Sequence, residues 1–342
     1  MIDVIIIGAG GSGLGIHGRL LTAPSRSTKY RVVGFVDVDA DKAAAAVAAI
    51  PTARAHGSIA AALTAGAPPR LAIIATKPYA SHLPIAIELM EAGVDVIVEK
   101  PFGVNLDEVV SAFARASDLG RTLLGFQNRR WEVAYLAFRD ALAAGSVGTP
   151  LYFELHRSTG FGRGDFLNMG THTIDQLVAL TAPDPPITVL AVRPDSEAPM
   201  DSNTGAACKA TVQFASGLVA DLHMLPAPQS RIHFYAMGDK GSFRQDWADE
   251  PGDLFRRWQE RTGDQIAPLW TPEFMDMSCA GIATGGEANF YGRYYDLLHD
   301  HLTGGGPAPV PPQDTITQFR IVAAIEQAAR ERRAVTVKST ET

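Results

Sequence analysis

Val4-Ile5-Ile6-Ile7-Gly8-Ala9-Gly10-Gly11-Ser12-Gly13 is the stretch on which the reading of this chain turns. The β-branched run predicts a strand, and Gly8, Gly10 and Gly13 fit G-x-G-x-x-G. Glycine-rich turns are common, so the surroundings carry the weight. A strand precedes the turn, a helix pattern follows from Gly13 to Leu21, and the next strand, Val32 to Val36, ends at Asp37. In that setting the glycines allow a tight turn, close approach of backbone to a pyrophosphate, and close helix–strand packing. The helix N-terminus offers N–H groups to the phosphates, with Gly11 and Ser12 inside the turn. Asp37 can accept hydrogen bonds from ribose hydroxyls and would repel a 2′-phosphate. Val38, Asp39, Ala40 and Asp41 supply no arginine to offset that repulsion. The pattern predicts a dinucleotide site that takes NAD rather than NADP.

Working outward, Leu71 to Ala75 and Val94 to Val98 read as further strands, and Leu123 to Phe126 as another. Helix-like stretches separate them at Ala40 to Ala49, Ser58 to Ala65, His82 to Ala92 and Asn105 to Leu119. Continuous apolar strands alternating with helices imply a doubly wound parallel sheet, an α/β domain of Rossmann type. After Gly125 the rhythm changes. Leu151 to His156, Thr188 to Val192, Ala207 to Phe214, Gly217 to His223 and Ile232 to Met237 read as strands with few helices between them. They predict a large, mostly antiparallel sheet in a C-terminal α/β domain, with a tight connection at Ala215-Ser216-Gly217. Domains are expected over 1–125 and 126–342. Helices are expected at Phe290 to Leu302 and Thr315 to Arg332, the last of which could pack back on the first domain.

Length and composition agree with two globular domains: 342 residues, 46% apolar and 20% charged. A net charge of −7 argues against nucleic acid or an anionic membrane as partner. Cys208 and Cys279 cannot form a disulfide framework and belong to no Cys-x-x-Cys pair. No apolar run approaches the ~20 residues of a membrane helix, and the N-terminus lacks signal-peptide features. The expectation is a cytoplasmic protein.

Glu99-Lys100-Pro101 follows the strand Val94 to Val98, so Lys100 should lie at the carboxyl end of the sheet, where ligands bind. A lysine there can hydrogen-bond a substrate hydroxyl and stabilise a forming alkoxide. Asn168, His172 and Asp175 fall at i, i+4 and i+7, on one helical face opposite Ile174, Leu177 and Val178. His-x-x-Asp lacks the further ligands of a recognisable metal site, and no metal is expected.

Together these elements resemble the glucose-fructose oxidoreductase, inositol dehydrogenase and MocA family (Gfo/Idh/MocA). The carriers are the N-terminal fingerprint, Glu99-Lys100-Pro101 and the helix with His172 and Asp175. Thr76-Lys77-Pro78 with His82 is similar to the family's loop after the fourth strand. Asn128-Arg129-Arg130-Trp131, with His172-x-x-Asp175-Gln176, is similar to the branch of NADP-dependent scyllo-inositol dehydrogenases. The resemblance spans nearly the whole chain. It implies an NAD(P)-binding domain, to which Thr76, His82, Glu99 and Lys100 would contribute. It also implies a second domain whose open sheet makes homodimers or homotetramers. Lys100 and His172 would serve substrate binding and proton transfer. Two departures stand out: Asn168 where many members carry an Asp, and Asp37 against the NADP preference of that branch.

The expected activity is NAD-dependent hydride transfer to or from a carbinol carbon of a sugar, cyclitol or related polyhydroxy compound. His172 would be the base, Lys100 would polarise the hydroxyl, and Asn168 could orient either. Arg129 and Asp175 are candidate substrate groups, and residues 157–168 and 244–290 are expected to set substrate choice. Two rival readings keep the cofactor site: a non-catalytic sensor, and a non-redox enzyme such as a glycosidase working through transient oxidation.

Overall fold

The computed structural model describes residues 1–158, 166–194, 200, 207–225, 232–246 and 291–338. Residues 247–290, with Trp247, Trp258, Trp270 and Cys279, and residues 159–165 lie outside the described residues. Two compact units are formed, Met1–Asn128 with Met277–Pro312, and Arg129–Asp276 with Gln313–Thr342.

In chain order the first unit holds β1 (Ile2–Ile7), α1 (a π-wound turn, Gly13–Gly18, continuing as Arg19–Thr22), β2 (Tyr30–Val36) and α2 (Ala40–Ala49). β3 (Arg54–His56), α3 (Ile59–Thr64), β4 (Leu71–Ile74), α4 (His82–Glu91), β5 (Asp95–Val98), α5 (Leu106–Asp118) and β6 (Leu123–Gly125) follow. The six strands form one parallel sheet in the order β3-β2-β1-β4-β5-β6. β4 and β5 are buried along their whole length, as apolar strands covered on both faces must be. Asn105 caps α5 as expected, its Oδ1 accepting the Glu108 N–H at 2.9 Å. β3 is absent from the sequence reading. Arg-Ala-His has no β-branched residue, and its position at the sheet edge leaves it half-exposed, so no apolar signal marks it.

The second unit holds α6 (Val133–Ala143), β7 (Pro150–Ser158), α7 (Phe166–Thr181), β8 (Pro186–Val192), β9 (Cys208–Phe214), β10 (Val219–Leu225), β11 (Ile232–Gly238) and β12 (Gly241–Asp246). After α8 (Gly292–Gly304) come α9 (Pro312–Glu331) and β13 (Val335–Thr336). Seven strands pair in the order β12-β11-β7-β10-β9-β8-β13, antiparallel except where β10 runs parallel to β7. The expected hairpin joins β9 to β10 through Gly217, at φ +94°. One face of this sheet packs under α6 and α7. Phe138 of α6 stacks on Phe234 with centroids 5.1 Å apart, and Leu155, Ala220 and Leu222 are buried on the same side.

The structure moves one helix across the expected 1–125 and 126–342 division. α8 packs in the first unit, where Tyr30 Oη donates to the Tyr295 carbonyl at 2.7 Å and Lys29 pairs with Asp296 at 2.9 Å. α9 belongs to the second unit: Gln318 Nε2 donates to the Thr171 carbonyl at 2.6 Å. α6, β12 and β13 were not expected either. The expected division of α7 into polar and apolar faces also fails, because Thr171 to Val178 are all buried.

Candidate active site

In the first unit the glycine turn is shaped by lack of room. Gly8 has φ +98°, and a Cβ there would stand 2.5 Å from the Ala75 carbonyl oxygen, where β4 ends. A Cβ on Gly13 would stand 1.7 Å from the Gly8 oxygen. Gly10 and Gly11 differ: nothing lies within 4 Å of the Cβ each lacks. The first pair of positions closes the turn, and the second leaves its outer side open.

That open side borders a cleft of ≈ 690 Å³ lined by Gly8, Gly10, Asp37, Ser58, Thr76 and Lys77, among others. The Asp37 carboxylate is held from both sides. Its Oδ2 accepts the Ala9 N–H at 2.8 Å and its Oδ1 the Asp39 N–H at 2.9 Å. Lys42 also lines the cleft, a cation unnoticed in the sequence, but its Nζ is paired with Asp39 Oδ2 at 3.0 Å. A cleft of this size, bordered by side-chain-free backbone and an anchored carboxylate, fits a dinucleotide. Of the expected cofactor residues, Gly8, Gly10, Asp37 and Thr76 line it.

Behind the cleft, two loops are braced by His82. It is buried, with Nδ1 2.9 Å from the Pro101 carbonyl and Nε2 3.0 Å from the Thr76 carbonyl. Both ring nitrogens of this expected cofactor residue thus face backbone carbonyls. Thr76 Oγ1 lies 2.9 Å from Ser81 Oγ, which ties down the same loop.

Glu99 is likewise turned inward. Its Oε2 accepts the Lys100 N–H at 2.8 Å, and its Oε1 lies 3.2 Å from His17 Nε2. Burial alone would raise this carboxyl, but His17 and Lys100 outweigh it and hold Glu99 below the ordinary value. On the other side of the ring, His17 Nδ1 is 2.5 Å from the Tyr295 hydroxyl. Burial, reinforced by Tyr294, Tyr30 and Glu99, pushes the Tyr295 phenol well above its ordinary value. The phenol therefore keeps its proton, and its hydroxyl meets the ring at Nδ1 while Nε2 faces Glu99. A buried chain, Tyr295–His17–Glu99, thus fixes the backbone that carries Lys100.

The second unit contains Asn168 and His172 one turn apart on α7, the first half-buried and the second buried. Lys100 and His172 belong to different units. Asp175 proves not to face a ligand. It takes a bidentate pair from Arg130, Nε to Oδ2 at 2.8 Å and Nη2 to Oδ1 at 2.7 Å, and Arg130 also reaches Asp314 at 2.9 Å. Burial opposes the charge on Arg130, but Asp175 outweighs it and holds the guanidinium above its ordinary value. Both oxygens of Asp175, expected as a substrate group, are thus engaged by Arg130.

Arg129 pairs with Glu132 at 2.8 Å, and Arg157 reaches the same carboxylate at 3.3 Å. Burial would raise Glu132, yet Arg129 and Arg157 bring it down to about 2. Gln176 completes this network, donating to the Arg129 carbonyl at 2.9 Å. Arg130 and Gln176 lie within motifs quoted from the sequence. Glu132, the partner of Arg129, and Arg157, the partner of Gln176, belong to no quoted motif.

Two domain models match the chain: the oxidoreductase family's NAD-binding Rossmann fold over residues 2–126, and its C-terminal alpha/beta domain over residues 139–337. The chain belongs to the Gfo/Idh/MocA oxidoreductase family and carries its NAD-binding domain. It is similar to the uncharacterized oxidoreductase YdgJ of Escherichia coli (strain K12), 26% identical over 76% of this chain and 79% of that protein. It is also similar to scyllo-inositol 2-dehydrogenase (NADP(+)) IolW of Bacillus subtilis (strain 168), 23% identical over 77% and 78%. Among solved structures, GenD2 from gentamicin A biosynthesis, in complex with NAD, superposes with a TM-score of 0.76 at 21% identity. That match covers 99% of this chain and 97% of GenD2 and shows a shared fold. No helix among the described residues is long and apolar enough to cross a membrane.

Two outcomes follow from this geometry. Gly13→Ala should lower NADH affinity by more than about tenfold, or ~1.4 kcal/mol, because the turn must open. Gly15→Ala, with nothing within 4 Å, should leave that affinity unchanged. Fluorescence titration reads both, and equal affinities would contradict the close approach at Gly13.

Stability should also fall with pH in two stages. Buried His233 is held down to about 3 from 6.5, first by burial, so the unfolded chain takes up a proton below 6.5 that the folded chain refuses. Glu132, lowered from 4.5 to about 2, adds stability that is present above 4.5 and lost as pH falls toward 2. Urea midpoints should drop from about pH 6.5 downward, and His233→Gln should flatten the larger part of the upper stage. Glu132→Gln should cost roughly 3–5 kcal/mol at neutral pH, since Arg129 and Arg157 lose their partner.

Proposed function

We propose that this oxidoreductase uses NAD to move a hydride to or from a carbinol carbon of a sugar, cyclitol or related polyhydroxy compound. The observation that carries the cofactor choice is Asp37, anchored by the N–H groups of Ala9 and Asp39 at the cleft. A carboxylate so held matches ribose hydroxyls and repels a 2′-phosphate. Lys42, committed to Asp39, does not cancel that repulsion. When bound, the nicotinamide supplies the hydride acceptor or donor. The chain supplies orientation and the proton: His172 as base in the oxidative direction, Lys100 polarising the hydroxyl, Asn168 orienting without carrying charge. Arg129 remains the candidate substrate cation. The names of relatives such as IolW support a polyol or cyclitol over an unrelated substrate.

The reading includes a cytoplasmic homodimer or homotetramer formed through the open face of the second sheet. Leu190 and Val192 at its β8 edge are 46% and 67% exposed, apolar side chains that a second copy would cover. Light scattering that returned a single chain would contradict this part. A sensor that keeps the cofactor site is the second reading, favoured by Asn168 in place of a carboxylate beside His172.

Steady NADH production across a panel of sugars, cyclitols and amino sugars tests the proposal. Binding without turnover on every ligand supports the sensor. NAD should be preferred over NADP, and Asp37→Ser with Val38→Arg should shift the preference toward NADP. Comparable kcat/KM for both cofactors in the unaltered protein would sink the assignment. His172→Ala and Lys100→Ala should keep NAD affinity while turnover falls by ~10²–10⁴-fold, the usual share of a general base. Retained turnover in His172→Ala would place the base elsewhere.

A further inference from the structure

On the sheet face opposite α7, β7 and β10 bring Glu154, His156 and His223 together. One ligand atom from each lies within 4.8 Å of the others. Glu154 Oε2 is already 3.1 Å from His156 Nε2. Two ligands on a tetrahedral zinc ion, bound at about 2.0–2.1 Å, stand about 3.3 Å apart, so this pair sits near coordination spacing. His223 stacks against His156 with ring centroids 4.1 Å apart and 3° between planes. Lone pairs lie in the ring planes, so the stack must open and the half-buried His223 ring must tilt before its nitrogen reaches the same point.

The surrounding groups form an outer shell. Tyr152 Oη lies 2.9 Å from Glu154 Oε1 and 3.0 Å from Asp221 Oδ2, and Thr211 Oγ1 donates to Asp221 Oδ1 at 2.6 Å. A phenol has one proton, so it cannot satisfy two ionised carboxylates at once. Lys209, 3.7 Å from Asp221, is the cation paired with that carboxylate. A divalent cation between Glu154 and the histidines would relieve this excess of negative charge.

We propose that Glu154, His156 and His223 form a site for a divalent transition metal, with zinc best matched to two imidazoles and a carboxylate. The ligands come from the one parallel pair among the described pairings of this sheet, so the ion clips β7 to β10. The site leaves a fourth position open and is independent of the cofactor reading.

The test strips the full chain, in its native assembly, with a chelator and titrates Zn²⁺ by calorimetry, with Co²⁺ absorption reporting the ligand field. One ion per chain and a raised Tm are expected. His156→Ala with His223→Ala should abolish the site, and Tyr152→Phe, which keeps every ligand, should weaken it by about 10-fold or more. NADH affinity should be the same in all variants, so loss of the metal site and loss of the cofactor reading are separable. Absence of Zn²⁺ binding in the unaltered chain would overturn the proposal. So would binding unchanged in both variants, with circular dichroism confirming that each is folded.

Discussion

A single buried carboxylate, Glu99, imposes most of the order in the first unit. An anion taken out of water must be paired or it destabilises the fold by several kcal/mol. Here the partners are the Lys100 N–H next door and His17 from the π-wound start of α1, which is backed in turn by Tyr295 of α8. Satisfying one charge therefore holds the helix that follows the glycine turn, the end of β5 and a helix from late in the chain. Phe126 and Tyr294 pack edge to face beside them at 4.8 Å, closing the pocket against water. The π-wound turn belongs to the same solution, since it turns His17 inward while the Gly8–Gly13 contact stays closed.

The second unit solves the same problem with several charges. Its central helix carries buried polar groups nearly all round, and each needs a partner from another element. Arg130 answers Asp175, while Arg157 bonds Thr173 and Gln176 at 3.1 Å each. Such networks contribute less to stability than apolar packing would, but they define one arrangement of α7 against its neighbours. A helix held this way presents His172 and Asn168 in fixed positions.

The Rossmann half was legible because its signals are local: apolar strands, a glycine fingerprint and an acid at a strand end all fall within one βαβ unit. The antiparallel strands were legible from alternation and from Ala215-Ser216-Gly217. What escaped the sequence was non-local. α8 reads as an ordinary helix, and nothing in its sequence says that Tyr295 serves a histidine in the first unit. Asp175 and Arg129 look alike as candidate substrate groups until Arg130 is found bonded to one of them. Glu154, His156 and His223 have no motif spacing because parallel pairing of β7 with β10 alone brings them together. β3 and β13 are short edge strands with too few residues for any periodicity.

The central claim, that hydride passes directly between a polyhydroxy carbon and nicotinamide, is tested most directly by isotope transfer. A turned-over substrate deuterated at the carbinol carbon is incubated with NAD, and the recovered NADH is examined by mass spectrometry and proton NMR. The account predicts stoichiometric deuterium at nicotinamide C4, on a single face. Deuterium returned to the product, or lost to solvent while substrate is consumed, would contradict it.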